Sequence, residues 1–178
     1  RILYHGTKTG YVSAQYLSVT YGTVSLNVPS FKQTDSRWAN VPVGESGKPM
    51  SEIGCATTAV AMMESFRSGR TIHPDSMMKN LSYDHSGNVY WPEDYSVGYW
   101  SENYLETIYR KLREGKPVLI GAKTNSGSQH WVVITGFSGG EKLSASGFTI
   151  NDPGSSTNEN LMQFFSSFPN LYKFFWYA

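Results

Sequence analysis

A chain of 178 residues with 15 Lys and Arg against 14 Asp and Glu has a formal charge of +1, and its only basic cluster is the short RKLR at 110–113; a phosphate-binding surface has little support. One cysteine excludes an internal disulfide and any multi-cysteine metal site. With 39% hydrophobic residues, a mean hydropathy of -0.37 and no apolar run of bilayer length, the composition fits a single globular domain without a membrane-inserted segment.

Residues 1–18 read as two short strands, RILYHG and YVSAQYLS, around a TKTG turn, too little chain to bury a core alone. The opening lacks an initiator methionine and an apolar signal region, as expected for a piece of a longer protein. Residues 19–30 read as a linker merging into the next domain's first extended stretch, and 31–54 as ordered loops. From Cys55 an apolar stripe of helical period (Cys55, Ala59, Met62, Met63, Phe66) predicts a helix with Thr57, Glu64 and Ser65 facing away. A short helix follows with Pro74 in its first turn. Residues 82–100 are aromatic and without period, a long loop of the kind that often carries function. A second amphipathic helix spans about 104–114, with Asn103 placed to cap it and Glu106 three residues on. Three apolar strands come next, at 117–122, 130–137 and 147–153, continuous enough for a sheet covered on both faces. A helix near 159–168 precedes a last strand, LYKFFWY. The order is helix first and then mainly sheet, an α+β layout.

The single cysteine stands at the first turn of its helix, where unpaired amides and the positive end of the dipole favour a thiolate. The same stripe also suits an inert buried thiol, so the helix pattern alone leaves both roles open. A nucleophilic thiolate needs a base. Of four histidines, His5 lies in the detachable-looking N-terminal strand, and His73 and His85 in surface stretches. His130 opens the apolar strand HWVVITGF, an odd place for a polar ring unless it faces a partner. Asp152, in INDP, ends the next strand. If the two strands pair antiparallel, both residues reach one edge of the sheet, where the carboxylate can fix the tautomer of the ring.

From VPSFKQTDSRWANVPVG through GCATTAVAMM and GKPVLIG to HWVVITGF and INDP, the chain resembles the C39-like peptidases, papain-like cysteine proteases of bacteria. The resemblance implies a papain-like α+β fold with the nucleophile's helix packed on an antiparallel sheet. It implies Cys55 as nucleophile, His130 as general base, Asp152 as the acid orienting it, and Gln33 as side-chain donor of the oxyanion hole. In papain that glutamine lies only a few residues before the cysteine; here the interval is longer, and the C39-like group accommodates it by a loop folding back. Asp35 and Trp38 are expected to hold that loop. The segment KTGYVSAQYLS is similar to the closing strands of bacterial SH3 repeats. It implies a division into an SH3-like remnant at 1–18, a linker and first extended stretch at 19–30 and a peptidase domain at 31–178, with further SH3-like domains N-terminal and a secreted or cell-wall location.

The expected substrate is a peptide or a peptidoglycan peptide. Trp131, Tyr90, Trp91, Tyr95 and Trp100 are expected to line its cleft, since Tyr and Trp offer large contact area with polar handles. No cofactor or metal is expected: the histidines lack HExxH spacing, and FSGGEKLSASG lacks the spacing of a nucleotide loop. Two other readings use the same residues, a transpeptidase or acyltransferase on the same triad and a non-catalytic cell-wall or peptide-binding module in which Cys55 only packs.

Overall fold

The structure, a computed structural model, describes residues 2–4, 8–10 and 20–178. At the N-terminus β1 (Ile2–Tyr4) pairs antiparallel with β2 (Lys8–Gly10). Residues 8–10, read from sequence as part of a turn, therefore hold the second strand, and the strand expected at 11–18 lies outside the described residues.

The remaining elements are β3 (Val24–Ser25), α1 (Met50–Ile53), α2 (Cys55–Ser68), α3 (Pro74–Met78), β4 (Ser82–Tyr83), β5 (Val89–Tyr90), β6 (Tyr95–Gly98), α4 (Tyr104–Arg113), β7 (Val118–Lys123), β8 (Gln129–Phe137), β9 (Phe148–Asn151), α5 (Leu161–Ser167) and β10 (Asn170–Tyr177). Strands β3, β8, β7, β10 and β6 follow one another in a six-stranded sheet, and β9 pairs with β8. Every pairing is antiparallel. The long strand β8 is its spine: one edge meets β7 and then β3, the other meets β9. The result is the α+β, papain-like arrangement, with the cysteine's helix packed on an antiparallel sheet.

Period-2 alternation divides the sheet residues between two cores. Val132 and Ile134 of β8 join Ile108, Leu112, Leu161 and Phe164 under α4 and α5. Trp131 and Val133 face the other way, onto Ala59, Val60, Met62 and Met63 of α2. Each fully buried aliphatic or aromatic side chain stabilises by about 1.5–3 kcal/mol, so both faces are anchored. Trp131 can lie flat because Gly121 stands opposite it on β7. A Cβ at residue 121 would sit 2.5 Å from the indole.

Three local expectations need correction. Helix α2 is buried almost all round, Thr57 and Ser65 included. Their hydroxyls are satisfied: Thr57 bonds the Tyr83 hydroxyl at 2.8 Å, and Ser65 Oγ both donates to the carbonyl and accepts from the amide of Ile72. Asn103 sits at the head of α4 but its side chain makes no capping bond, and Glu106 instead accepts from the Tyr21 hydroxyl. The stretch 82–100 is not all loop: β4 pairs with β5, and β6 forms an edge of the main sheet. These strands are too short for a readable period.

Replacing Gly121 by Ala is expected to destabilise the fold by about 1–3 kcal/mol, the usual range for overpacking, read as a lower denaturant midpoint and altered tryptophan emission. An unchanged midpoint would mean that Trp131 has room to move.

Candidate active site

The turn between α1 and α2 places Cys55. The Gly54 amide closes onto the Met50 carbonyl, and the Thr58 amide onto that of Gly54. Among the described residues, the amides of Cys55, Ala56 and Thr57 between them make no backbone hydrogen bond. A half-buried sulfur thus stands among three open N–H donors at a helix start.

His130 lies near the start of β8, and Asp152 just past the end of β9. Antiparallel pairing of Val133 with Asn151 carries them to the same end of the sheet. There His130 Nε2 and Asp152 Oδ1 are 2.6 Å apart. The other ring nitrogen, Nδ1, is not used by Asp152, and the sulfur is close enough for its charge to act on the imidazole. The ring is walled by Phe168 and Phe164, with centroids 5.2 and 6.1 Å away. These aromatics belong to α5 and its end, so the imidazole is held from one layer while the sulfur arrives from the other.

Asp152 is only 1% exposed, yet fully partnered. Its Oδ1 also accepts from the amides of Gly154 (2.8 Å) and Ser155 (3.1 Å), and its Oδ2 from Asn158 Nδ2 (2.8 Å). Burial alone would raise its pKa, but these donors and His130 hold it below the usual carboxylate value. For His130 burial works to lower the pKa, and Asp152 and Cys55 more than reverse it, raising it to about 9. The pair is therefore an imidazolium beside a carboxylate at neutral pH. Gly154 makes room for it: a Cβ there would lie 2.9 Å from the imidazole Cε1.

Gln33 is 7% exposed. Its Nε2 donates to the Ser51 carbonyl at 2.8 Å, an orientation set by that carbonyl, since the reverse would oppose two oxygens. Its backbone amide donates to the Pro153 carbonyl, and its Oε1 is buried without a partner. Gln33 is thereby tied both to the helix turn that precedes Cys55 and to the loop that carries Asp152. Trp38 Nε1 donates to the Lys32 carbonyl, and the Asp35 carboxylate accepts from the guanidinium and the backbone amide of Arg37. Both residues hold the loop.

A cleft of ≈ 400 Å³ opens beside the sulfur, with Cys55, Trp91, Gln129, Trp131, Tyr172 and Lys173 among its walls. Of the aromatic residues expected there, Trp91 and Trp131 line it and three do not. Tyr95 is buried between strands opposite Tyr177, its hydroxyl donating to Glu64 Oε1 at 2.6 Å. Tyr90 alternates outward from Val89 and is 62% exposed, and Trp100, past the end of β6, is 66% exposed. Strand alternation and burial decide this, and composition carries no information on either.

Sequence reasoning passed over four residues around the pair. Lys32 Nζ donates to the carbonyls of Asp152 (2.6 Å) and Ser155 (2.5 Å), clamping the carboxylate's loop; burial pulls its pKa down, against the pull of Asp152. Gly154, Asn158 and Phe168 complete the surround. Only the INDPGSS string hinted at them, since an Asp before Pro-Gly makes an Asx-type turn whose amides fold back on the carboxylate.

A helix-borne thiol, an imidazole and a buried carboxylate meeting at the end of an antiparallel sheet are the marks of the papain-type cysteine-peptidase class. The chain belongs to the Peptidase_C39 like family, which it matches over residues 25–176. Its function is thus of the cysteine-peptidase type in general. A search of the curated proteins finds no match.

Folded His130 holds its proton more tightly than the unfolded chain does. Its contribution to stability is complete below the ordinary value of 6.5 and is lost as pH rises to about 9. Asp152, held low, contributes fully above 3.8 and loses that contribution as acid reaches its depressed value. Titration of the His130 ring by NMR is expected to give a midpoint near 9, falling in Cys55→Ala and in Asp152→Asn. A midpoint at the ordinary imidazole value in the unmodified protein would show that the pairing does not govern the ring.

Proposed function

We propose that this protein is a cysteine peptidase that hydrolyses peptide bonds through a thioester acyl-enzyme. The observation that carries the reading is the 2.6 Å His130–Asp152 contact made at the sheet end where Cys55 faces the ring. The Cys55 thiolate, paired with the His130 imidazolium, attacks the scissile carbonyl and forms the new C–S bond. The oxyanion takes hydrogen bonds from the Cys55 amide and from the remaining Nε2–H of Gln33. His130 gives its proton to the leaving amine as the C–N bond breaks, then draws a proton from water, which attacks the thioester and restores the thiolate. Asp152 holds the ring so that one nitrogen always faces the sulfur.

Peptides of the bacterial cell envelope, as peptidoglycan stems or bridges, are the proposed substrates, with a secreted or wall-associated location. Support comes from the similarity of residues 8–18 to SH3 repeats and from the low-charge, aromatic composition. On the same ground residues 1–18 are proposed as the remnant of an SH3-like domain with further copies before it.

A peptide electrophile is expected to label the protein at one site and not to label Cys55→Ala. His130→Ala is expected to slow labelling by about 10²- to 10⁴-fold. A thiol that reacts only after unfolding would refute the proposal.

Peptide turnover separates the remaining roles. Gln33→Ala is expected to keep labelling but to lose about 10²- to 10³-fold in kcat. Asp152→Asn is expected to lose less than the roughly 10⁴-fold seen for such an orienting group in a serine enzyme, because the thiolate–imidazolium pair needs less help. A loss equal to that of Cys55→Ala would mean that Asp152 does more than orient. Product analysis with added amines distinguishes hydrolysis from acyl transfer.

A further inference from the structure

The cleft beside Cys55 is polar in one direction. Its floor is aromatic: Trp91 stacks on Phe175 with centroids 4.2 Å apart and meets Trp131 at 4.7 Å. At its β10 end stands Lys173, whose Nζ lies 4.6 Å from the centroid of Tyr172, 5.4 Å from that of Phe175 and 5.9 Å from that of Trp91. Ring faces hold this ammonium in place by cation–π attraction. They do not neutralise it, and among the described residues no carboxylate lies within ion-pair distance of it. The other charged group in the wall, Glu52 at the α1 end, is engaged by Lys48 at 3.1 Å.

A half-buried cation with aromatic neighbours and no anion is incomplete as a structural element. On β10, Lys173 lies two residues from Phe175, on the side that faces α2 and the sulfur, so its direction is fixed by strand alternation. The wall also contains amides: Gln129 Nε2 donates to Asn88 Oδ1 at 3.3 Å, a long bond that leaves further donor capacity free. One ammonium with nearby amides, and no arginine fork, matches a single carboxylate better than a phosphate, whose several oxygens favour clustered Arg or Lys donors.

Resting on the peptidase reading, we propose that this cleft is a specificity subsite for an acidic residue of the substrate peptide: a glutamyl-type side chain whose methylenes lie on the Trp91–Trp131 floor while its carboxylate meets Lys173.

Binding of labelled hexapeptide pairs, identical except for Glu or Gln at each position in turn, is measured by fluorescence polarisation on the Cys55→Ala protein, so that no turnover is needed. At one position Glu is expected to bind about five- to tenfold tighter than Gln, the range for a partly desolvated ion pair, and the advantage is expected to shrink at high salt. Adding Lys173→Met is expected to erase the difference and Lys173→Arg to keep it. Lys123→Met is also expected to keep it, since that ammonium sits over Tyr172 at 4.0 Å but does not line the cleft. Absence of peptide binding, equal affinity for Glu and Gln at every position, or a Glu preference that survives Lys173→Met would each overturn the proposal. A Lys173-dependent preference in a protein that never cleaves the preferred peptide would uphold the subsite and remove the peptidase reading.

Discussion

The hydrogen bond between His130 and Asp152 is the constraint around which this end of the molecule is arranged. A carboxylate only 1% exposed would be costly if left without partners. It is retained because every direction around it is filled: an imidazole, two loop amides and the Asn158 amide on its oxygens, and the Lys32 ammonium on the carbonyl of the same residue. Those bonds define the path of 152–158, and through Pro153 they define where Gln33 sits. One local demand, satisfying a buried anion, therefore positions the ring, its supporting loop and the proposed oxyanion donor together.

The two-sided sheet explains why these groups can meet at all. Helix α2 covers one face and brings the sulfur; α5 covers the other and brings Phe164 and Phe168 against the ring. The meeting point is the open end of the sheet, where neither core closes over it. Electrostatics there act in a consistent direction. Burial discourages both charges, while mutual attraction and fixed donors favour them more, leaving the imidazole protonated and the carboxylate ionised around neutrality. That is the state a thiolate nucleophile requires.

The cleft shows a different balance, with an aromatic floor that is well packed and an ammonium that is not matched. Trp131 joins the two regions: it follows His130 in β8, points to the opposite face, and rests against Gly121. A single strand thus presents the ring to the sulfur with one residue and the floor of the cleft with the next.

Much of this was legible in the chain itself, for a physical reason. Helix and strand periods depend on neighbours only a few positions apart, so α2, α4 and the strands β7, β8, β9 and β10 could be read, as could the convergence of His130 and Asp152 once an antiparallel pair was assumed. The motif resemblance pointed to Cys55 and Gln33 in the same way. Burial and alternation against distant partners could not be read. Tyr95 looked like a cleft residue but belongs to a strand edge, Thr57 and Ser65 looked exposed but are buried, and Lys32 and Lys173 carried no local signal. What each of them does depends on contacts across dozens of residues of chain, and only packing in three dimensions creates those contacts.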